Sequence, residues 1–127
     1  MTLTAYGPTY RDGVEGGFTR TVNSPADVRE LVALLGDESV FTAAVESEHA
    51  VLDVHVRNGF GYLLYNGPEM VGAYSIGDPA SPAVTASETG FPAGSGVALD
   101  LFTTALIEFL QTGTLPAGIR WGQADAS

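Results

Sequence analysis

The fold is decided by residues 50–67, whose sequence is AVLDVHVRNGFGYLLYNG. Apolar residues alternate with other residues from Ala50 to Arg57, which is the period of a strand with one buried face. Asn58-Gly59 is a strong signal for a two-residue hairpin turn. Phe60–Tyr65 is therefore the expected partner strand, and the pair forms an antiparallel hairpin.

A second Asn-Gly pair, Asn66-Gly67, predicts another tight turn that leads into a third strand, Glu69–Ile76. Together the three strands make an antiparallel meander. The apolar side of its first strand carries Ala50, Leu52, Val54 and Val56. The opposite side carries Val51, Asp53, His55 and Arg57. The apolar side needs a second layer of structure to cover it.

Two amphipathic segments can supply that layer. In the first, Ser24 is a typical N-cap, Pro25 suits the first helical position and Gly36 ends the helix. Its apolar stripe has helical spacing and consists of Val28, Leu31, Val32 and Leu35. The second helix is expected from Val97 to Gln111, with Gly113 just beyond its end.

Three further short segments have strand character, namely Val40–Glu46, Ala83–Ser87 and Ile119–Gln123. The order of elements predicts an α+β fold: a two-layer sandwich with a mostly antiparallel sheet, built around the central meander, and two helices on one face. The length of 127 residues fits a single domain, 1–127. We expect its core to span about residues 14–123, with flexible termini.

The charge of the chain restricts its partners. Fifteen Asp and Glu residues face five Arg, and the net charge is −10. Such a chain repels phosphate backbones and anionic lipids, and it favours a basic partner. There is no Cys, which excludes disulfides and thiolate metal sites. Residues 1–10 have neither a basic nor an apolar region typical of a signal peptide, so we expect a cytoplasmic protein.

The most enzyme-like feature is the polar side of the first meander strand. His49, Asp53 and His55 recur there with a period of two, and these residue types bind metals. A solvated or partner-facing strand surface carries the same residues. No catalytic constellation is recognisable elsewhere, since Gly94-Ser95-Gly96 lacks the Lys of a phosphate loop. We therefore expect a binding protein without cofactors rather than an enzyme, with a metal- or ligand-binding enzyme as the alternative.

The order of several segments resembles immunity protein family 1 of bacterial polymorphic toxin systems. The resemblance lies in residues 23–28 (NSPADV) continuing to Leu34-Leu35, in residues 91–95 (FPAGS), and in residues 107–121, which end in Ile119-Arg120-Trp121. It spans about residues 18–123. The resemblance implies an α+β antitoxin that has no catalytic residues and binds the toxin domain of a secreted toxin. In such systems that domain is commonly a nucleic-acid deaminase or a nuclease.

The uncovered side of the meander is the expected binding surface. Its predicted acidic contacts are Glu46, Glu48, Asp53 and Glu69. Its predicted aromatic anchors are Tyr62, Tyr65 and Tyr74. We expect the partner to be a basic toxin domain, with neither nucleic acid nor membrane bound, and the free protein to be a monomer or a weak dimer. A third possibility is an adaptor that pairs an exposed edge strand with a copy of itself.

Overall fold

A computed structural model gives the structure of the chain and describes residues 2–37, 40, 42–84 and 90–123. The elements in chain order are β1 (Leu3–Arg11), β2 (Val14–Val22), α1 (Pro25–Leu35), β3 (Ala43–Glu46), β4 (Val51–Arg57), β5 (Phe60–Asn66), β6 (Val71–Ile76), β7 (Val97–Ala98), α2 (Leu99–Thr112) and β8 (Arg120–Gln123). No helix in the described ranges has both the length and the apolarity needed to span a membrane.

The described strands form one antiparallel sheet in the order β2-β1-β3-β4-β5-β6-β8, and β7 pairs with β5 beside this path. The predicted meander is β4-β5-β6. Both helices pack on one face of the sheet, so the predicted α+β sandwich is confirmed. Because β2 and β3 are each antiparallel to β1, they run parallel to each other with β1 between them.

The N-terminal segment differs from the expectation of a flexible terminus. Residues 3–11 form β1, an interior strand in which Leu3 and Ala5 are almost fully buried. A two-residue turn at Asp12-Gly13 joins β1 to β2, and both turn residues have positive φ, 53° and 79°. An Asp-Gly pair is a standard signal for a two-residue hairpin turn, so the sequence itself indicated this turn.

The two predicted Asn-Gly turns have different outcomes. Asn58 and Gly59 have φ of 54° and 80° and join β4 to β5 as predicted. The prediction was wrong at Asn66-Gly67, because Asn66 still belongs to β5 and the register shifts there. The Asn66 side chain accepts a hydrogen bond from the Gly72 N–H at 2.7 Å, which stabilises this irregular connection.

Both helices follow local signals. Ser24 caps α1 by accepting a hydrogen bond from the Asp27 N–H at 3.2 Å, and α1 ends at Gly36 as predicted. The second helix begins at Leu99, two residues later than expected, because residues 97–98 pair with β5 as β7. Gly113 ends it with φ of 69°, a conformation that glycine adopts without steric cost.

The core lies between the helices and the apolar face of the sheet. Its largest fully buried side chains are Leu3, Leu35, Leu52, Leu63, Tyr65, Phe102, Leu106 and Phe109. A second, smaller cluster of Tyr62, Val84 and Phe91 lies on the opposite face. Val84 forms a single bridge with Phe91 where a strand over 83–87 was predicted, and residues 85–89 lie outside the described part of the chain.

Candidate partner-binding face

A loop covers half of the sheet face that lies opposite the helices. We call its described parts, residues 77–84 and 90–96, the strap. Phe91 of the strap packs on Tyr62 and Tyr74, with ring centroids 5.6 and 5.9 Å apart. The Tyr62 hydroxyl donates to the Pro82 carbonyl at 2.7 Å, and the Tyr74 hydroxyl donates to the Gly90 carbonyl at 2.9 Å. The strap therefore buries Tyr62 completely and Tyr74 in part.

Hydrogen bonds fix the strap at both of its ends. The Gly77 N–H donates to the Gly94 carbonyl, and the next N–H, of Asp78, donates to the Gly96 carbonyl, both at 2.8 Å. The buried Ser75 hydroxyl donates to the Ser95 carbonyl at 2.6 Å. These bonds join the two ends of the strap to each other and to β6, so the cover belongs to the fold.

No described segment covers the other half of this face, on β1, β3 and β4. We call it the open face and define it by Thr4, Tyr6, Tyr10, Ala44, Glu46, Val51 and Asp53. The register places Tyr6 opposite Ala44, and Ala44 opposite Asp53, so these residues form one row across three strands. Tyr6 is 39% and Tyr10 47% exposed. The open face thus combines exposed aromatic rings with carboxylates.

The two carboxylates of the open face differ in their surroundings. The Tyr6 hydroxyl donates a hydrogen bond of 2.6 Å to Glu46 Oε2, and this bond is the main reason why the pKa of Tyr6 is raised. Asp53 is half-buried, and burial alone raises the pKa of its carboxyl. No hydrogen bond from a described residue offsets that burial. Asp53 is therefore a partly desolvated charge that a basic group could compensate.

Asp53→Asn should stabilise the folded protein at neutral pH. Because the folded-state pKa of Asp53 lies above its unfolded value, ionisation favours the unfolded chain. The stability that the variant gains over the wild type should be complete at pH values above the folded-state pKa of Asp53. It should disappear at pH values below the pKa of Asp53 in the unfolded chain, about 4. Thermal unfolding measured near neutral pH and at about pH 3 tests this. The control is Glu48→Gln, at a carboxylate whose side chain is 80% exposed, which should shift neither midpoint. An equal gain for Asp53→Asn at both pH values would contradict the argument.

The structure brings together only part of the predicted site. Glu46 and Asp53 lie on the open face, and Glu48 follows β3 in the adjoining loop. Tyr62 is fully buried under the strap and Tyr74 is half-buried there, so neither is the freely exposed anchor that was expected.

Two predicted residues lie elsewhere. Tyr65 pairs with Leu52 and is fully buried on the helix side of the sheet. Its hydroxyl donates to Glu69 Oε1 at 2.5 Å, and the Leu115 N–H donates to Glu69 Oε2 at 3.3 Å. The hydrogen bond from Tyr65 lowers the pKa of Glu69. Glu69 thus links the loop between β5 and β6 to the segment that follows α2, and it lies away from the open face.

The alternative metal site is not assembled. The His49 side chain is 71% exposed and lies near Glu48, with Nε2 3.9 Å from Oε1. His55 is 4% exposed and stacks beneath Phe91, with ring centroids 6.4 Å apart. Within the described ranges, no group of three or more His, Asp or Glu is placed to hold a metal ion. The strand period therefore does not bring the three predicted ligands together.

Comparison with known protein families identifies the family of this chain. The family model described as Immunity protein Imm1 matches residues 16–123, which is most of the chain. The chain belongs to the Imm1 family. Membership implies an immunity protein of a toxin system, whose partner is its cognate toxin. A comparison with curated proteins found no match.

In this Imm1 protein, the open face extends beyond the segment that the family model matches. The match begins at residue 16, whereas Tyr6 and Tyr10 lie on β1. Neither tyrosine was predicted to bind a partner, because the N-terminal residues were expected to form a flexible end. The Asp12-Gly13 turn signal indicates a hairpin whose first strand contains both tyrosines.

Proposed function

We propose that this Imm1 protein binds the toxin domain of its cognate secreted toxin in the cytoplasm and blocks it in a one-to-one complex. It acts by binding and not by catalysis. The toxin domain acts on nucleic acid, as a deaminase or a nuclease. Such a domain needs a basic groove for its substrate, and an acidic protein is both attracted to that groove and able to occupy it. The net charge of −10 supports this pairing.

The observation that carries the proposal is the arrangement on the open face. Tyr6, Glu46 and Asp53 lie side by side on a sheet surface that neither the helices nor the strap covers. Aromatic side chains supply contact area at interfaces, and carboxylates supply specificity for basic groups. Asp53 is already partly desolvated, so an arginine of the partner that reaches it forms its ion pair at a reduced further cost of desolvation.

Occlusion requires no chemistry from the immunity protein. A protein seated in the substrate groove excludes nucleic acid as long as it stays bound, so inhibition should follow the occupancy of the toxin. Charge steers the encounter, and well-packed anchors such as the tyrosines slow dissociation. Inhibition should therefore be stoichiometric, with full loss of toxin activity at an equimolar ratio.

Co-purification tests the proposal. The tagged protein is expressed together with the toxin domain encoded by the neighbouring gene, and the complex is titrated with salt from about 0.05 M to about 0.5 M. We expect a one-to-one complex that inhibits the toxin domain and weakens as salt rises. A toxin domain of an unrelated system is the control and should not bind. Absence of a complex at low salt would overturn the proposal.

A further inference from the structure

Within the described residues, no strand pairs with the outer edge of β2, which ends the sheet on one side. Strand β2 pairs with β1 through nine consecutive residue pairs without a bulge. All of its described side chains are exposed except those of Phe18 and Val22. Natural edge strands are usually short, bulged, or protected by charged residues or Pro. Strand β2 is nine residues long and has neither a bulge nor a Pro, and its charged residues are Glu15 and Arg20. Its outer backbone groups are therefore available for pairing.

The register identifies these outer groups. The Arg11–Val14 pair closes the two-residue turn, so it is hydrogen-bonded, and bonded and non-bonded pairs alternate from there. The backbone N–H and C=O groups of every second residue then point away from β1. These residues are Glu15, Gly17, Thr19 and Thr21.

The sequence of β2 is complementary to itself about Phe18. An antiparallel copy related by a two-fold axis through Phe18, perpendicular to the sheet, keeps both helix layers on the same side. Gly16 then lies opposite Arg20 of the second copy, and Gly17 lies opposite Thr19. In these two pairs a glycine leaves room for the larger side chain opposite it. Val14, which is 67% exposed, lies opposite Val22 of the second copy.

The local charge of β2 permits pairing with a second copy, although two chains of net charge −10 repel each other at long range. Glu15 and Arg20 are the only charged residues of β2, so the strand is locally neutral in a chain with a net charge of −10. In the two-fold register Glu15 lies opposite Thr21, and no like charges face each other. A basic partner would gain little at such an edge.

We propose that β2 is a homodimer interface, in which β2 of one copy pairs antiparallel with β2 of a second copy about Phe18 and joins the two sheets. This inference does not rest on the proposed toxin inhibition, and the open face stays uncovered in the dimer. A single strand pair about 30 Å long buries less surface than a stable dimer needs. The dimer is therefore weak and forms reversibly as concentration rises.

Cysteine crosslinking tests the register, and the absence of native Cys makes it specific. In Phe18→Cys the two thiols sit in a non-hydrogen-bonded pair with Cα atoms about 4.5 Å apart, which suits a disulfide. In the control Arg20→Cys the two positions are displaced by four residues, more than about 13 Å. We expect Phe18→Cys to crosslink at least about tenfold faster than Arg20→Cys, because pairing raises its effective concentration.

Sedimentation of the cysteine-free protein up to millimolar concentration tests the pairing itself. Thr19→Pro removes one outward N–H without breaking a bond to β1 and should abolish the dimer, whereas Thr19→Val should preserve it. A wild-type protein that stays monomeric, with equal crosslinking of the two cysteine variants, overturns the proposal. So does a Thr19→Pro protein that dimerises like Thr19→Val. If the wild-type protein is monomeric and Thr19→Pro weakens its binding to the toxin domain, the edge of β2 binds the toxin and not a second copy.

Discussion

Asp53→Arg should weaken binding of the cognate toxin domain on the order of 100-fold or more. The change places a positive charge on the open face, where the proposed partner presents basic groups. Removing one member of a desolvated ion pair already costs about 2–5 kcal/mol, and reversal adds repulsion. Titration calorimetry of the purified pair measures the affinity, and thermal unfolding of the free variant verifies that it remains folded.

A matched variant separates the local effect from net charge. Glu30→Arg changes the net charge by the same amount on the exposed side of α1, in the layer on the other side of the sheet. We expect it to slow association slightly and to change affinity only a few-fold, about 1 kcal/mol or less. Equal weakening by the two variants would show that only bulk charge matters, and the open face would lose its role.

Gly77→Ala should destabilise the protein by about 3 kcal/mol. A Cβ atom at Gly77 would overlap the backbone carbonyl of Gly96, where the two ends of the strap cross. Backbone atoms held by the Gly77–Gly94 and Asp78–Gly96 hydrogen bonds cannot move aside without breaking them. The variant should therefore also loosen Phe91 from Tyr62, which hydrogen exchange of the strap amides would detect.

Gly90 offers a control within the same strap. A Cβ atom there would lie 3.4 Å from the Val84 carbonyl, an ordinary contact, and Gly90 is exposed. Gly90→Ala should change the free energy of unfolding by no more than about 0.5 kcal/mol. If chemical denaturation gave the same loss for both variants, the close crossing at Gly77 would not be what holds the strap.

The parts of the fold that local signals determine were predictable. The Ser24 cap, the spacing of the α1 stripe and the Asn58-Gly59 turn each act within a few residues. The position of Tyr65 was also predictable, because counting back from the Arg57–Phe60 pair puts it opposite Leu52 on the apolar side. Its assignment as a partner-binding residue overlooked that register.

The burial of Tyr62 could not be predicted in the same way. It lies on the expected side of the sheet, opposite His55, but the strap that covers it comes from residues about twenty to thirty positions later. The residue pattern of β5 does not indicate this burial, because the covering loop is distant in sequence and has no regular structure. The open face was likewise predicted only in part. Glu46 and Asp53 were identified, but Tyr6, their neighbour on β1, was not.

The position of β1 between β2 and β3 affects how the sheet is assembled during synthesis. During synthesis β1 can pair with β2 at once through the Asp12-Gly13 turn, yet its other neighbour, β3, follows only after α1. Until then one side of β1 has no partner. A fragment that starts at residue 16, where the family match begins, would lack β1 altogether. The strands β2 and β3 would have to meet as a parallel pair, replacing two antiparallel ladders with one.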